Sequence, residues 1–298
     1  MQALKGSLVA LVTPLNANDN VDFAALKDLV TWHIDQGTHG IVSVGTTGEA
    51  PTLSVIEHIE VISKTVEYAN GKIPIIAGTG GNSTRDSIAL TKQAKEVGAD
   101  FSLLVTPYYN KPTQQGLITH YSTIADSVDI PQIIYNVPTR TGCDILPKTV
   151  KTLARHQNIV GIKEALDDMQ RIQDLIDIKS ELKNKKNFYV YSGDDPTFLN
   201  SMKLGSDGVI SVVANAIPKQ VSDICNLAIE NNFSEAQQIN LIYEKFYNLC
   251  FIESNPIPIK WILFKLKKIQ NNIRPPLTTL NETFHQQIVS EMVKLNLL

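Results

Sequence analysis

Cysteine is scarce in this chain. Cys143, Cys225 and Cys250 are odd in number, scattered, and form no CxxC pair, which excludes a disulfide framework and a thiolate zinc site. They read as small buried hydrophobes or free thiols. His33, His39, His58, His120, His156 and His285 show no HxxxH spacing and fall mostly in helical stretches or loops away from strand ends. No metal and no cofactor is therefore expected. Neither charge sign dominates: 27 Lys and Arg face 30 Asp and Glu, for a net charge of −3, so there is no basic footprint for nucleic acid and the expected partner is a small molecule. With 43% hydrophobic and 19% charged residues the composition is that of a soluble globular protein, and no apolar run reaches the roughly 20 residues a membrane helix needs. Met1-Gln2-Ala3-Leu4-Lys5-Gly6 shows neither a signal-peptide core nor an Arg-rich transit pattern, so a cytoplasmic protein is expected.

What the chain does have is repetition. Short runs rich in Val, Ile and aromatics begin near Leu8, Ile41, Ile73, Phe101, Gln132, Ile159, Phe188 and Gly208, about 20 to 33 residues apart, and an amphipathic stretch follows each. The first of these stretches, Asp22 to Gln36, carries helical spacing at Phe23, Leu26, Leu29, Val30 and Ile34. Runs that are apolar almost throughout suit a parallel sheet covered on both faces. Eight βα units in one chain predict a closed (β/α)8 TIM barrel over residues 1–232. The open doubly wound sheet is the alternative, but its first strand should lead into GxGxxG, and Val12-Thr13-Pro14 does not. Gly78-Thr79-Gly80-Gly81 lacks that spacing too and reads as a tight turn rather than a phosphate cradle. After the eighth run, Lys219–Asn231, Ser234–Ile252, Pro258–Ile269 and Leu280–Leu297 read as helices, the first completing the barrel and the last three forming a C-terminal helical extension over residues 233–298. Asn255-Pro256-Ile257-Pro258 reads as its linker. Lys179 to Asn187, with Lys183, Lys185 and Lys186, reads as a solvated charged loop at the face opposite the chemistry.

In such a barrel the chemistry gathers where strands end. The second run ends in Gly45-Thr46-Thr47-Gly48-Glu49, the fourth in Thr106-Pro107-Tyr108-Tyr109-Asn110, and the fifth in Tyr135-Asn136-Val137-Pro138-Thr139-Arg140. The sixth ends in Lys163, the seventh in Ser192-Gly193-Asp194-Asp195, and the eighth passes through Ile210-Ser211. A lysine leaving a buried strand for a cleft has its ammonium disfavoured by desolvation, so the neutral amine that attacks carbonyls becomes accessible. Lys163 is then a Schiff-base nucleophile, or else a strand-end lysine that snorkels or pairs with Glu164. Gly45–Glu49 can hold a carboxylate on free N–H groups and threonine hydroxyls, while Thr46 and Glu49 also match a capping box. Tyr135 can move protons if hydroxyl neighbours form a relay, or be an ordinary core tyrosine. Arg140 offers a bidentate fork for a carboxylate, or a surface salt bridge. Together the residues suit carbonyl chemistry through an imine.

Gly45-Thr46-Thr47-Gly48-Glu49, Tyr135 to Gly142 and Gly161-Ile162-Lys163-Glu164-Ala165 resemble, in order and spacing, the dihydrodipicolinate synthases of the pyruvate-dependent Schiff-base lyase superfamily, which also holds N-acetylneuraminate lyase. The resemblance runs from about Gly6 to the C-terminus. It implies that pyruvate condenses with Lys163, that its carboxylate rests on Thr46 and Thr47, and that the resulting enamine attacks aspartate semialdehyde in the diaminopimelate route to lysine. Tyr135 would donate and accept protons, linked to Thr46 and to a Tyr109 lent by a neighbouring subunit. Gly193 and Ile210 would line the pyruvate pocket through their backbone. The implied assembly is a homotetramer, a dimer of dimers. Arg140 would bind the semialdehyde carboxylate and set the chain apart from sialic acid lyases. A sister aldolase and a barrel kept for binding alone are the competing functions. Residues matching a lysine effector pocket are His58, Asn82, Asp86 and Tyr108, but Ala50 and Val55 replace polar residues there, so weak or absent feedback inhibition is expected.

Overall fold

The computed structural model describes residues 4–298; Met1-Gln2-Ala3, half of the stretch read for a targeting signal, lie outside them. Eight parallel strands, β1 (Gly6–Ala10), β2 (Gly40–Ser43), β3 (Ile75–Gly78), β4 (Phe101–Val105), β5 (Gln132–Asn136), β6 (Ile159–Glu164), β7 (Tyr189–Ser192) and β8 (Gly208–Ser211), close in chain order, with β1 bonded to both β2 and β8. This is the TIM barrel rather than the open sheet. Its interior is solid: Leu8, Val42, Ile76, Leu103, Ile133, Tyr191 and Ile210 form one buried cluster, as inward side chains of a barrel this size must. No helix of the described residues is long and apolar enough to cross a membrane.

Strand boundaries moved by one or two residues for identifiable reasons. Ile73 precedes Pro74, which has no N–H to give a ladder, so β3 starts at Ile75, whose amide donates to Asp100 Oδ2 at 2.8 Å. Val12 falls outside β1 because its amide donates to Asn215 Oδ1 at 3.1 Å instead. The tight turn expected after β3 is one: a Cβ on Gly78 would lie 2.3 Å from the Val44 carbonyl oxygen, and one on Gly80 2.3 Å from the Val105 nitrogen.

The C-terminal helices run Pro218–Ile229, Phe233–Leu249, Ile257–Lys265 and His285–Lys294, the last preceded by a 3-10 turn at Glu282–Phe284. The third is shorter than predicted because the chain turns left-handed at Lys267, φ 59°. The fourth is shorter because Asn281 caps Thr283 at 2.9 Å and begins a tighter turn. These helices do not stand apart: Phe246, Tyr247, Ile259 and Trp261 share one buried cluster with Val9, Leu29 and Val213 of the barrel. The Lys179–Asn187 segment is only partly the solvated loop predicted. Lys183 and Lys185 are exposed, but Lys186 is half-buried and its Nζ donates to the carbonyls of His156 and Ile159 at 2.5 and 2.6 Å, tying the loop to the start of β6. Desolvation pulls its ammonium down to about 8.

Candidate active site

The sixth strand aims the lysine. Pairing of β5 with β6 shifts register between Gln132 and Ile133, and a one-residue shift exchanges the faces of a strand. Ile162 packs outward among the helices, and Lys163, 5% exposed, turns into a cavity of about 210 Å³ at the barrel mouth. Glu164 turns the other way. Its carboxylate accepts from Arg171 Nε at 2.6 Å and from Asn136 Nδ2 at 3.0 Å, and Arg171 also holds Asp144 at 2.7 Å. A Lys163–Glu164 pair is thus ruled out by the alternation of strand side chains.

Lys163 Nζ lies 4.3 Å from the centroid of the Tyr135 ring. Burial pulls the ammonium down to about 8, with Arg140 acting in the same direction and Asp195 against it. Gly193 gives the lysine its room, since a Cβ there would come within 2.8 Å of Lys163 Cε. Tyr135 is 8% exposed, and desolvation pushes its phenol up to about 12, opposed by the Arg140 charge and by the neighbouring Thr46 hydroxyl. Thr46, Thr47 and Arg140 line the same cavity. Arg140 sits exposed in a one-turn helix, Pro138–Thr141, and makes no salt bridge among the described residues. One cavity therefore holds Lys163, Tyr135, Thr46, Thr47, Arg140 and Gly193.

One sequence-predicted residue falls elsewhere. Ile210 is fully buried in the barrel interior, and the cavity wall on that side is Val212. Tyr109, expected to serve a neighbouring subunit's site, is 89% exposed on a loop strained into positive φ at Tyr109 (73°) and Lys111 (44°), and does not line its own chain's cavity. His58, Asn82, Asp86 and Tyr108 line a second cavity of about 490 Å³, which shares Thr46, Tyr135 and Arg140 as walls with the first. His58 Nε2 is already held by the Gly78 carbonyl at 2.7 Å, and burial lowers its pKa.

The loop after β2 is not built as predicted. Thr46 and Glu49 form no capping box; the box closes later, between Ser54 and Glu57, at the head of helix Val55–Ala69. Val44 (φ 57°) and Glu49 (φ 58°) are both left-handed and fold the loop back on itself, a conformation costly for a β-branched residue and sustained only by its surroundings. Those surroundings come from the far end of the chain. The Glu49 carboxylate is buried against Lys260 Nζ and accepts from the Arg274 amide at 3.1 Å; Lys260 also donates to the Thr13 carbonyl at 3.1 Å. Asn255 Nδ2 donates to Thr47 Oγ1 at 3.0 Å, and Asn255 and Phe251 join the cavity wall. Sequence reading missed Asn255, Phe251 and Lys260, and the anchoring role of Glu49, because nothing local relates them. It also gave no role to Asp195, buried at the end of β7, which accepts from Ser211 Oγ at 2.5 Å and the Val212 amide at 2.9 Å. Burial raises its carboxyl to about 6.

A closed eight-stranded barrel carrying a buried amine among hydroxyls at its C-terminal mouth defines an enzyme of the lysine-bearing (β/α)8 class. The model of the dihydrodipicolinate synthetase family matches residues 3–295. The chain is 52% identical over 289 residues to a 4-hydroxy-tetrahydrodipicolinate synthase of Ectopseudomonas mendocina, covering 97% of each protein. It is equally identical, over 292 residues and 97% of each, to that of Pseudomonas syringae. Among solved structures, the chloride-inhibited dihydrodipicolinate synthase of Acinetobacter baumannii complexed with pyruvate superposes with a TM-score of 0.96 at 50% identity, over 99% of this chain and all of that one. This chain belongs to the dihydrodipicolinate synthetase family.

Proposed function

We propose that this chain is a lyase that makes 4-hydroxy-tetrahydrodipicolinate, condensing pyruvate with L-aspartate 4-semialdehyde on the lysine-forming route. The observation that carries the reading is Lys163: a buried amine with its pKa pulled down to about 8, in one cavity with two threonines and 4.3 Å from the centroid of a tyrosine ring. Its neutral form attacks the pyruvate carbonyl, and loss of water leaves an iminium on Nζ. That cation is the electron sink for removing a proton from the pyruvate methyl carbon, and the enamine so formed attacks the semialdehyde. Tyr135 and Thr46 carry the protons. A phenol raised to about 12 by burial holds its hydrogen at neutral pH, so Tyr135 works as a donor that is promptly recharged, not as a standing phenolate. Thr46 and Thr47 hold the pyruvate carboxylate, Gly193 and the backbone near Ile210 shape the pocket, and the free fork of Arg140 takes the semialdehyde carboxylate.

Tyr109 completes the relay from a neighbouring subunit. An aromatic ring 89% exposed on a strained loop suits an interface anchor better than a solvent-facing residue. The assembly we favour is a homotetramer built as a dimer of dimers. Three free, buried thiols fit a reducing cytoplasm. Lysine inhibits weakly or not at all, since Ala50 and Val55 leave the second cavity short of polar partners.

Borohydride reduction with pyruvate, followed by peptide mapping and by an assay with the semialdehyde, tests the reading. A pyruvyl adduct on Lys163, absent from Lys163→Ala, with turnover of the semialdehyde is expected; an adduct without turnover would move the substrate to a sister aldolase. Arg140→Ala should raise the semialdehyde KM while adduct formation survives.

A further inference from the structure

Thr47 is only 2% exposed, yet it lines the cavity. Its oxygen accepts from Asn255 Nδ2 at 3.0 Å. A hydroxyl has one hydrogen to give, and accepting from Asn255 leaves that hydrogen for an acceptor on the open side. Were Asn255 to present its carbonyl instead, Thr47 would donate into the protein and meet an anion with its lone pairs. Asn255 Oδ1 is buried with no protein partner, and an unpaired buried acceptor beside a cavity marks a wall that a ligand or water completes. The same segment supplies a second hold five residues on: Lys260 reaches Glu49, the left-handed residue that ends the loop, and the Thr13 carbonyl at 3.1 Å. Thr13 in turn donates to the Gly48 carbonyl at 2.7 Å.

We propose that Asn255 is a positioning residue for the reaction: by donating to Thr47 it fixes the threonine hydroxyl as a donor to the carboxylate of the 2-oxo acid, while Lys260 and Glu49 keep the loop folded back so that the donation reaches. The inference rests on the reading of the site given above. It makes the barrel's first substrate contact dependent on a residue outside the barrel.

A double-mutant cycle between Asn255 and Thr47, read by the separate KM values of the two substrates, decides the matter. Asn255→Ala should raise the pyruvate KM roughly ten- to hundredfold, the range of a hydrogen bond to a charged group, with the semialdehyde KM and Tm nearly unchanged. Asn255→Asp, which can only accept, should do at least as much. Adding Asn255→Ala to Thr47→Val should cost nothing further. Additive effects of the two substitutions, an equal rise in both KM values, or an unchanged pyruvate KM would overturn the proposal. Should the alanine variant not fold, Asn255→Ser carries the same expectation. A wild-type protein that traps no pyruvate under borohydride sinks the site reading and this inference with it; one that traps pyruvate while Asn255→Ala behaves as wild type sinks this inference alone.

Discussion

Two buried charge networks support the barrel mouth, and they differ in reach. On one side Arg171 gathers Glu164, Asp144 and the Ile145 carbonyl, with Asn136 bonded to both carboxylates; its bonded pairs lie 7 to 28 residues apart in sequence. On the other side Lys260, Asn255 and Arg274 reach Glu49, Thr47 and Thr13 across 208 to 247 residues. The short-range network locks the end of β6, so that the strand's alternation presents Lys163 to the cavity. The long-range one holds a loop whose own backbone is strained at both ends. Lys163 is thus placed by its neighbours in the chain, and the candidate carboxylate site by the chain's far end. Catalytic groups set on a regular strand need little outside help, whereas a left-handed loop keeps its shape only where other parts of the fold over-determine it.

The largest effect should come from the short-range network. Arg171→Ala strands a fully buried Glu164 carboxylate and should cost about 3–5 kcal/mol in urea unfolding; a loss under about 1 kcal/mol would mean that the network is not what holds β6. Lys260→Met should fall at the lower end of that range, because Glu49 keeps the Arg274 amide as a donor. The double variant Glu49→Gln/Lys260→Met should recover stability to within about 1 kcal/mol, since no uncompensated charge remains, while its pyruvate KM stays raised. Full recovery of both would show that the long-range pair serves stability only.

The smallest effect is a pH dependence that reports which charges face the lysine. Imine formation needs the neutral amine, so kcat/KM for pyruvate should rise about tenfold per pH unit below about 8 and level off above it. Burial is the main cause of the lowered pKa; of the charged neighbours, Asp195 raises it and Arg140 lowers it. Asp195→Asn should therefore move the limb to lower pH and Arg140→Ala to higher pH. Profiles that coincide with wild type in both variants would show that neither charge is felt at Lys163.

Much of this is legible in the sequence. Eight apolar runs at near-even spacing specify a barrel because a parallel strand must be apolar on both faces and must be followed by a crossover helix. The rule that chemistry sits at strand ends then picked out Lys163, Tyr135, Thr46, Thr47, Arg140 and Gly193, and all six line one cavity. Two long-range roles were not legible. Thr46 and Glu49 have capping-box spacing, but Glu49 does more when buried against Lys260 than it would at a helix end. Asn255-Pro256 does lie in the connection before the proline-started helix Ile257–Lys265, but nothing nearby says that Asn255 faces a threonine 208 residues earlier.

Local chemistry and periodicity by themselves determined the fold class, the strand that bears the amine, and the set of hydroxyls at the rim, because those follow from alternation and from short, right-handed connections. Only the tertiary structure decided that Glu164 pairs with Arg171, that Glu49 is an anchor, and that the connection between two C-terminal helices supplies part of the wall. The reason is physical. Burial and its partners set the charge state of a lysine and the donor sense of a hydroxyl, and which residues become partners across 200 positions is fixed only when the chain has closed on itself.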